Sequence, residues 1–247
     1  MLTVVLDCSL SWARGGPEDL TQAIEQLLLF LNAFSLLSAS NQLLLLASND
    51  EAVEVLWPPA SLGHDAVAAP SDARALRAAV AAGVQRLVTS RSSAASDDGG
   101  AAAPQLAAAL AAALCRMHRV CRALPKVQPR MLLFHATEAE EPSQHLAAMN
   151  CVFAAQKMGV IIDALLLGAT TDSTLLQHAA HQTGGLYLRP DAATQRAIAQ
   201  YLITCCLPDR YARQFLRPPA QGQLETQACL PVPSPGPPER RPTTRPI

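Results

Sequence analysis

Thr3-Val4-Val5-Leu6-Asp7-Cys8-Ser9-Leu10-Ser11 is the stretch that decides how this chain is read. A short apolar run, suited to a strand buried on both faces, ends on a carboxylate. Two hydroxyls follow it at alternate positions. One carboxylate and two hydroxyls are hard oxygen ligands of the kind that suits Mg²⁺. The carboxyl end of a strand is also where open α/β sheets bind ligands. Asp7, Ser9 and Ser11 are therefore candidate metal ligands. The plainer reading is a turn in which the same side chains take up loop backbone N–H groups.

On the carboxyl side of this strand, helix-like and strand-like segments alternate. Leu20, Ile24, Leu27, Leu28, Leu31 and Phe34 recur at helical spacing and predict an amphipathic helix over 17–37. Residues 42–48 read as a short buried strand, Asn49-Asp50 as a turn, and 52–57 as an antiparallel hairpin partner ended by Pro58-Pro59. A helix is predicted over 72–89, then a polar loop over 90–103. Pro104 opens the next helix at its favoured first-turn position, with Leu106, Leu110, Leu114, Met117 and Cys121 as its buried stripe. Then come a strand (130–136), a helix (143–158) with Gly159 as its C-cap, and a strand (160–167) with the character of a central one. A helix over 171–183 ends at Gly184-Gly185, a short strand covers 186–188, and Asp191 caps a last helix to about Cys206.

This alternation predicts an α/β fold: a doubly wound, mostly parallel six-stranded sheet with one antiparallel edge strand and helices on both faces. Val4, Leu6, Leu44, Leu133, Ile162 and Leu165 are its expected core. Residues 1–207 form this domain. Residues 208–247 hold ten of the nineteen prolines and little periodicity, so they read as a Pro-rich tail, disordered at its end.

The 247 residues are half hydrophobic, only 4% aromatic, and carry 19 basic against 20 acidic side chains, for a net charge of −1. This is not the balance of a strongly basic nucleic-acid binder, so any contact with DNA is expected to be indirect. The seven cysteines include no C-x-x-C pair and are odd in number, which fits a reducing compartment. The amino terminus lacks a basic segment and Asp7 interrupts its apolar run, so it is not read as a secretory signal. The charge-free apolar stretches are expected to be too short to span a bilayer.

Several segments converge on one family. They are D-C-S-L-S-W at 7–12, L-L-L-A-S at 44–48, A-L-C-R-M-H-R at 113–119, N-C-V-F-A-A-Q-K at 150–157 and T-G-G-L-Y-L at 183–188. In this order they resemble the smaller von Willebrand A-domain subunit of general transcription factor TFIIH, over about residues 2–217. L-P-D-R at 207–210 followed by Pro218-Pro219 is similar to the segment that leaves the domain in that family. The resemblance implies a von Willebrand A-like fold. It also implies a nuclear, non-catalytic subunit of the TFIIH core, acting in RNA polymerase II transcription initiation and nucleotide excision repair. Its implied partners are other TFIIH core subunits, chiefly the second A-domain subunit, which carries zinc-binding modules. The family also continues into a cysteine-rich zinc-binding module. Here Cys229 stands about where that module would begin and no Cys or His follows it. One ligand cannot make a four-ligand zinc site, so no zinc is expected in this form.

A full A-domain cation site also draws a Thr from a second loop and an Asp from a third. The second loop is expected at 90–103, with Ser92, Ser93, Ser96, Asp97 and Asp98 but no Thr; the third holds Thr137 and Glu138. The set is incomplete. His178 and His181 share a helix face without a third ligand and read as a polar helix edge; His118 reads as a helix-surface residue. His135 could face the loop rim at the end of its strand, with no nucleophile pattern beside it. Glu138, Glu140 and Glu141 read as a solvated loop that could also meet a basic partner surface. No G-x-S-x-G, Walker A or G-x-G-x-x-G pattern occurs. The expectation is a scaffold with no catalytic residues. The alternative is a metal-dependent ligand-binding A domain.

Overall fold

The computed structural model describes residues 1–9, 17–59, 72–92, 105–124, 127–136, 142–168, 171–190 and 197–215. Six strands form one sheet: β1 (Leu2–Asp7), β2 (Leu43–Ser48), β3 (Val53–Trp57), β4 (Arg130–His135), β5 (Ile161–Leu166) and β6 (Tyr187–Leu188). Their order across the sheet is β3-β2-β1-β4-β5-β6, and only the β2–β3 pairing is antiparallel. The doubly wound, mostly parallel sheet with one antiparallel edge strand is as the sequence predicts.

Alternation along the strands sorts the core into two layers. Leu2, Val4, Leu6, Leu43, Leu45, Leu132, Phe134 and Leu165 point to one face. There they meet α1 (Pro17–Leu37), α2 (Ala73–Ser92) and the last helix, which runs as α6 (Ile198–Tyr201) and then a π-helical turn (Leu202–Cys206). Val5, Leu44, Leu46, Met131, Leu133, Ile162, Ala164 and Leu166 point to the other face, towards α3 (Leu106–Ala123), α4 (Pro142–Lys157) and α5 (Thr174–Thr183). All six predicted core residues are buried.

The strand at 160–167 is an interior one: β5 pairs along its whole length with β4 and, at Ala164 and Leu165, with the two-residue edge strand β6. One expectation needs correction: the segment Leu20–Leu37 of α1, which carries Glu25, is long and apolar enough to cross a membrane by length and composition. In the fold it lies on the sheet with Ala23, Leu27, Phe30, Leu31 and Phe34 buried, while Leu29, Leu36 and Leu37 stay exposed.

The strand order reverses between β1 and β4, where β1 passes to β2 on one side and to β4 on the other. In open α/β sheets the carboxyl edge at such a switch point is the ligand-binding crevice. Asp7 and His135, the last residues of β1 and β4, sit there.

Candidate functional site

Asp7 is 1% exposed, and both of its carboxylate oxygens are taken by the chain itself. Oδ1 accepts the Ser9 backbone N–H at 2.8 Å, a local Asx turn. Oδ2 accepts the Ala136 backbone N–H at 3.1 Å and lies 3.3 Å from His135 Nδ1. The carboxylate thus ties the end of β1 to the end of β4. Beside it, the Cys8 N–H donates to the Ser48 carbonyl at 2.7 Å and joins the ends of β1 and β2. Burial, and then the Asp7 charge, push the Cys8 thiol far up, so it stays a neutral core group.

Of the three candidate metal ligands, Asp7 and Ser9 are brought together, and both are buried. Ser11 lies outside the described residues, as do Ser93, Ser96, Asp97, Asp98, Thr137, Glu138, Glu140 and Glu141. Among the described residues no three His, Cys, Asp or Glu side chains converge as a metal cluster. A cation on Asp7 would share a carboxylate already holding two N–H groups and an imidazole, a poor fit to a hard-oxygen site. His178, His181 and His118 are exposed on their helices. His135, expected at the loop rim, is instead buried against Asp7. Its place in register, one residue beyond the Leu6–Phe134 pair, puts it beside Asp7.

Asp7→Ala strands two buried N–H groups and an imidazole. It is expected to destabilise the domain by about 2–4 kcal/mol in urea denaturation, since each orphaned buried group costs about 1–3 kcal/mol. Asp7→Asn, which keeps an acceptor, should cost clearly less. Equal losses for the two would contradict the bracing role.

Asn49 organises the neighbouring corner of the same edge. Its Oδ1 accepts the backbone N–H groups of Glu51 and Ala52 at 3.0 and 2.6 Å and so closes the β2–β3 turn. Its Nδ2 donates to the Leu87 carbonyl of α2 at 3.2 Å, and its own carbonyl accepts the Gln105 N–H at 2.8 Å. These contacts make the carboxyl edge a braced platform.

The outer surface offers a different feature. Ala148, Val152 and Ala155 of α4 are buried, whereas Leu146 is 72% and Phe153 46% exposed. Seven residues apart, these two lie on one side of the helix, two turns from each other. Phe153 belongs to the N-C-V-F-A-A-Q-K block, and an exposed large apolar pair needs an explanation that core packing does not give.

A family model described as Transcription factor Tfb4 matches residues 1–230. The chain belongs to the Tfb4 family. Among curated Tfb4-type proteins, General transcription factor IIH subunit 3 of Dictyostelium discoideum is 27% identical, over 83% of this chain and 57% of its own length. The IIH subunit tfb4 of Schizosaccharomyces pombe, named for general transcription and DNA repair, is 28% identical, over 92% of this chain and 76% of its own. The chain therefore spans little more than half of the first relative and about three quarters of the second. The solved TFIIH p34 N-terminal domain superposes with a TM-score of 0.63 at 23% identity, covering 82% of this chain and 95% of that one. The Rpn10 VWA domain superposes at 0.54 with 12% identity, over 81% and 93%. These likenesses place this Tfb4-family chain in the von Willebrand A-like fold. The family expected from the five sequence blocks is the one found, and the relatives it matches carry names of general transcription factor IIH subunits.

Proposed function

We propose that this Tfb4-family chain is a nuclear, non-catalytic scaffold of the TFIIH core that acts by protein–protein binding. It would serve RNA polymerase II transcription initiation and nucleotide excision repair, touching DNA only indirectly. The observation that supports this most is the outward Leu146–Phe153 pair on α4, set on a helix whose opposite side is fixed in the core. A few apolar or aromatic anchors on a rigid element carry most of a protein interface's binding energy. The partner we assign to them is the second A-domain subunit of TFIIH with its zinc-binding modules.

Binding is proposed to be independent of metal, because chain donors occupy Asp7. The competing reading, a metal-dependent ligand-binding A domain, makes the opposite forecast for chelation. In a pull-down of the partner subunit, a chelator that spares the partner's tightly held zinc should leave capture unchanged, and so should a folded Asp7→Asn variant. Loss of capture in both arms would favour the metal-dependent reading.

A further inference from the structure

The chain does not come loose after the last helix. Arg213 donates from Nη1 and Nη2 to the two oxygens of Asp163 at 2.7 and 2.6 Å, from Nε to the Pro208 carbonyl at 3.2 Å, and from Nη2 to the Cys206 carbonyl at 3.3 Å. Arg130, the first residue of β4, reaches the same point. It donates to Asp163 Oδ2 at 3.4 Å, to the Leu207 carbonyl at 3.3 Å and to the Cys206 carbonyl. Two guanidiniums therefore meet one carboxylate together with the carbonyls that end the last helix, where the helix dipole favours cations. Burial, and then the Arg213 charge, lower the affinity of Arg130 for its proton. For Arg213 burial acts in the same direction, but the hydrogen bonds and charge of Asp163 outweigh it.

This junction lies low on the sheet, since Arg130 pairs in register with Ile161, the first residue of β5. It is at the opposite edge from Asp7. Beyond it Asp209 accepts the Ala212 N–H at 2.7 Å and starts a single helical turn, α7 (Arg210–Arg213). No residue of that turn is buried. On its outer side Tyr211 and Phe215 are exposed and stack edge to face, with ring centroids 5.3 Å apart.

We propose that residues 208–215 are a strap, with Arg213 as the pin that holds it to the sheet. The pin fixes the place and direction in which the chain leaves the domain, at the sheet's amino-terminal edge. Two facts make the strap separable from the core. Its hold is polar and centred on one side chain: Arg210 and Tyr211 of the turn are exposed, and the side chain that goes in is that of Arg213. Without Arg213, Asp163 still has Arg130 and the Leu186 N–H, which it accepts at 3.0 Å. The pinned strap presents whatever follows Phe215 from one point. A released strap would swing it on a tether of eight residues, roughly 25–30 Å when extended.

Hydrogen exchange on the full chain tests this, comparing the protein with Arg213→Ala and Arg213→Lys. In Arg213→Ala the amides of 210–215 should exchange at least ten times faster, with peptides of β1, β4 and β5 within twofold of the parent. Arg213→Lys keeps the charge but loses the two-pronged grip, so its strap should fall between the other two. Three results would overturn the proposal: unchanged exchange over 210–215, acceleration spread equally into β4 and β5, or an Arg213→Ala chain that cannot fold. None of these involves α4, so the strap stands or falls separately from the proposed interface.

Discussion

Gly185→Ala is expected to be among the most damaging single-methyl changes in this domain. A Cβ at Gly185 would sit 1.9 Å from the Ile162 carbonyl oxygen and 2.6 Å from its carbon, with Asp163 Oδ1 at 3.1 Å. The obstacle is the backbone of β5, which cannot turn aside as a side chain can. Relief would push the α5–β6 turn off the strand and pull Leu186 from its hydrogen bond to Asp163. Overpacking of this kind costs about 3 kcal/mol. Gly184, one residue earlier, is the internal control. Its φ of +71° is left-handed and caps α5, but a Cβ there meets nothing within 4 Å. Gly184→Ala should therefore cost about 1–2 kcal/mol, the backbone penalty alone. Urea denaturation of both variants checks the ranking, and a Gly184→Ala loss equal to or above that of Gly185→Ala would contradict it.

Asp163→Ala should be comparably severe for an electrostatic reason. Asp163 is almost wholly buried inside β5 and is the carboxylate shared by Arg130 and Arg213. Its removal leaves two largely buried guanidiniums facing each other with only backbone carbonyls as partners. Arg130 Nε already has no hydrogen-bond partner. Breaking a buried ion pair from one side costs about 3–5 kcal/mol, because the uncompensated charge stays behind. Arg213→Ala should cost less, since Asp163 keeps Arg130 and the Leu186 N–H. Thermal or urea unfolding of the two variants should show that order. An Asp163→Ala protein as stable as Arg213→Ala would mean that the carboxylate is not the hub.

The fold was readable because its signals are local. Apolar runs, helical stripes and glycine stops such as Gly184-Gly185 mark where elements begin and end. Pairing partners are not local, so the order of the strands across the sheet is not written in any one of them. The candidate site was legible only in part. Asp7 could be found from its place after an apolar run, but its partner His135 is 128 residues away and is set beside it by strand register. The strap was less visible still. L-P-D-R at 207–210 announces a turn, yet the pin is Arg213 and its socket is Asp163. The one available clue was a lone carboxylate within the apolar run 160–167. A charge in such a strand persists only when the fold supplies a partner. The domain end drawn at Leu207 falls inside this junction, because residues 208–215 remain attached to the sheet. Residues 216–247, including Cys229, lie outside the described residues.

On the proposed reading, this Tfb4-family domain holds a TFIIH partner through the outer side of α4 and needs no metal at Asp7. Calorimetric titration of the full chain with the second A-domain subunit, before and after Phe153→Glu, tests it most directly. A charge placed in a buried apolar contact of this kind costs 2 kcal/mol or more, about a thirtyfold loss of affinity. At least that loss is expected for Phe153→Glu, with an unchanged unfolding midpoint because the ring is not in the core, and no change when Mg²⁺ is removed. Parent-like affinity in the folded Phe153→Glu protein, or binding that disappears with Mg²⁺, would contradict it.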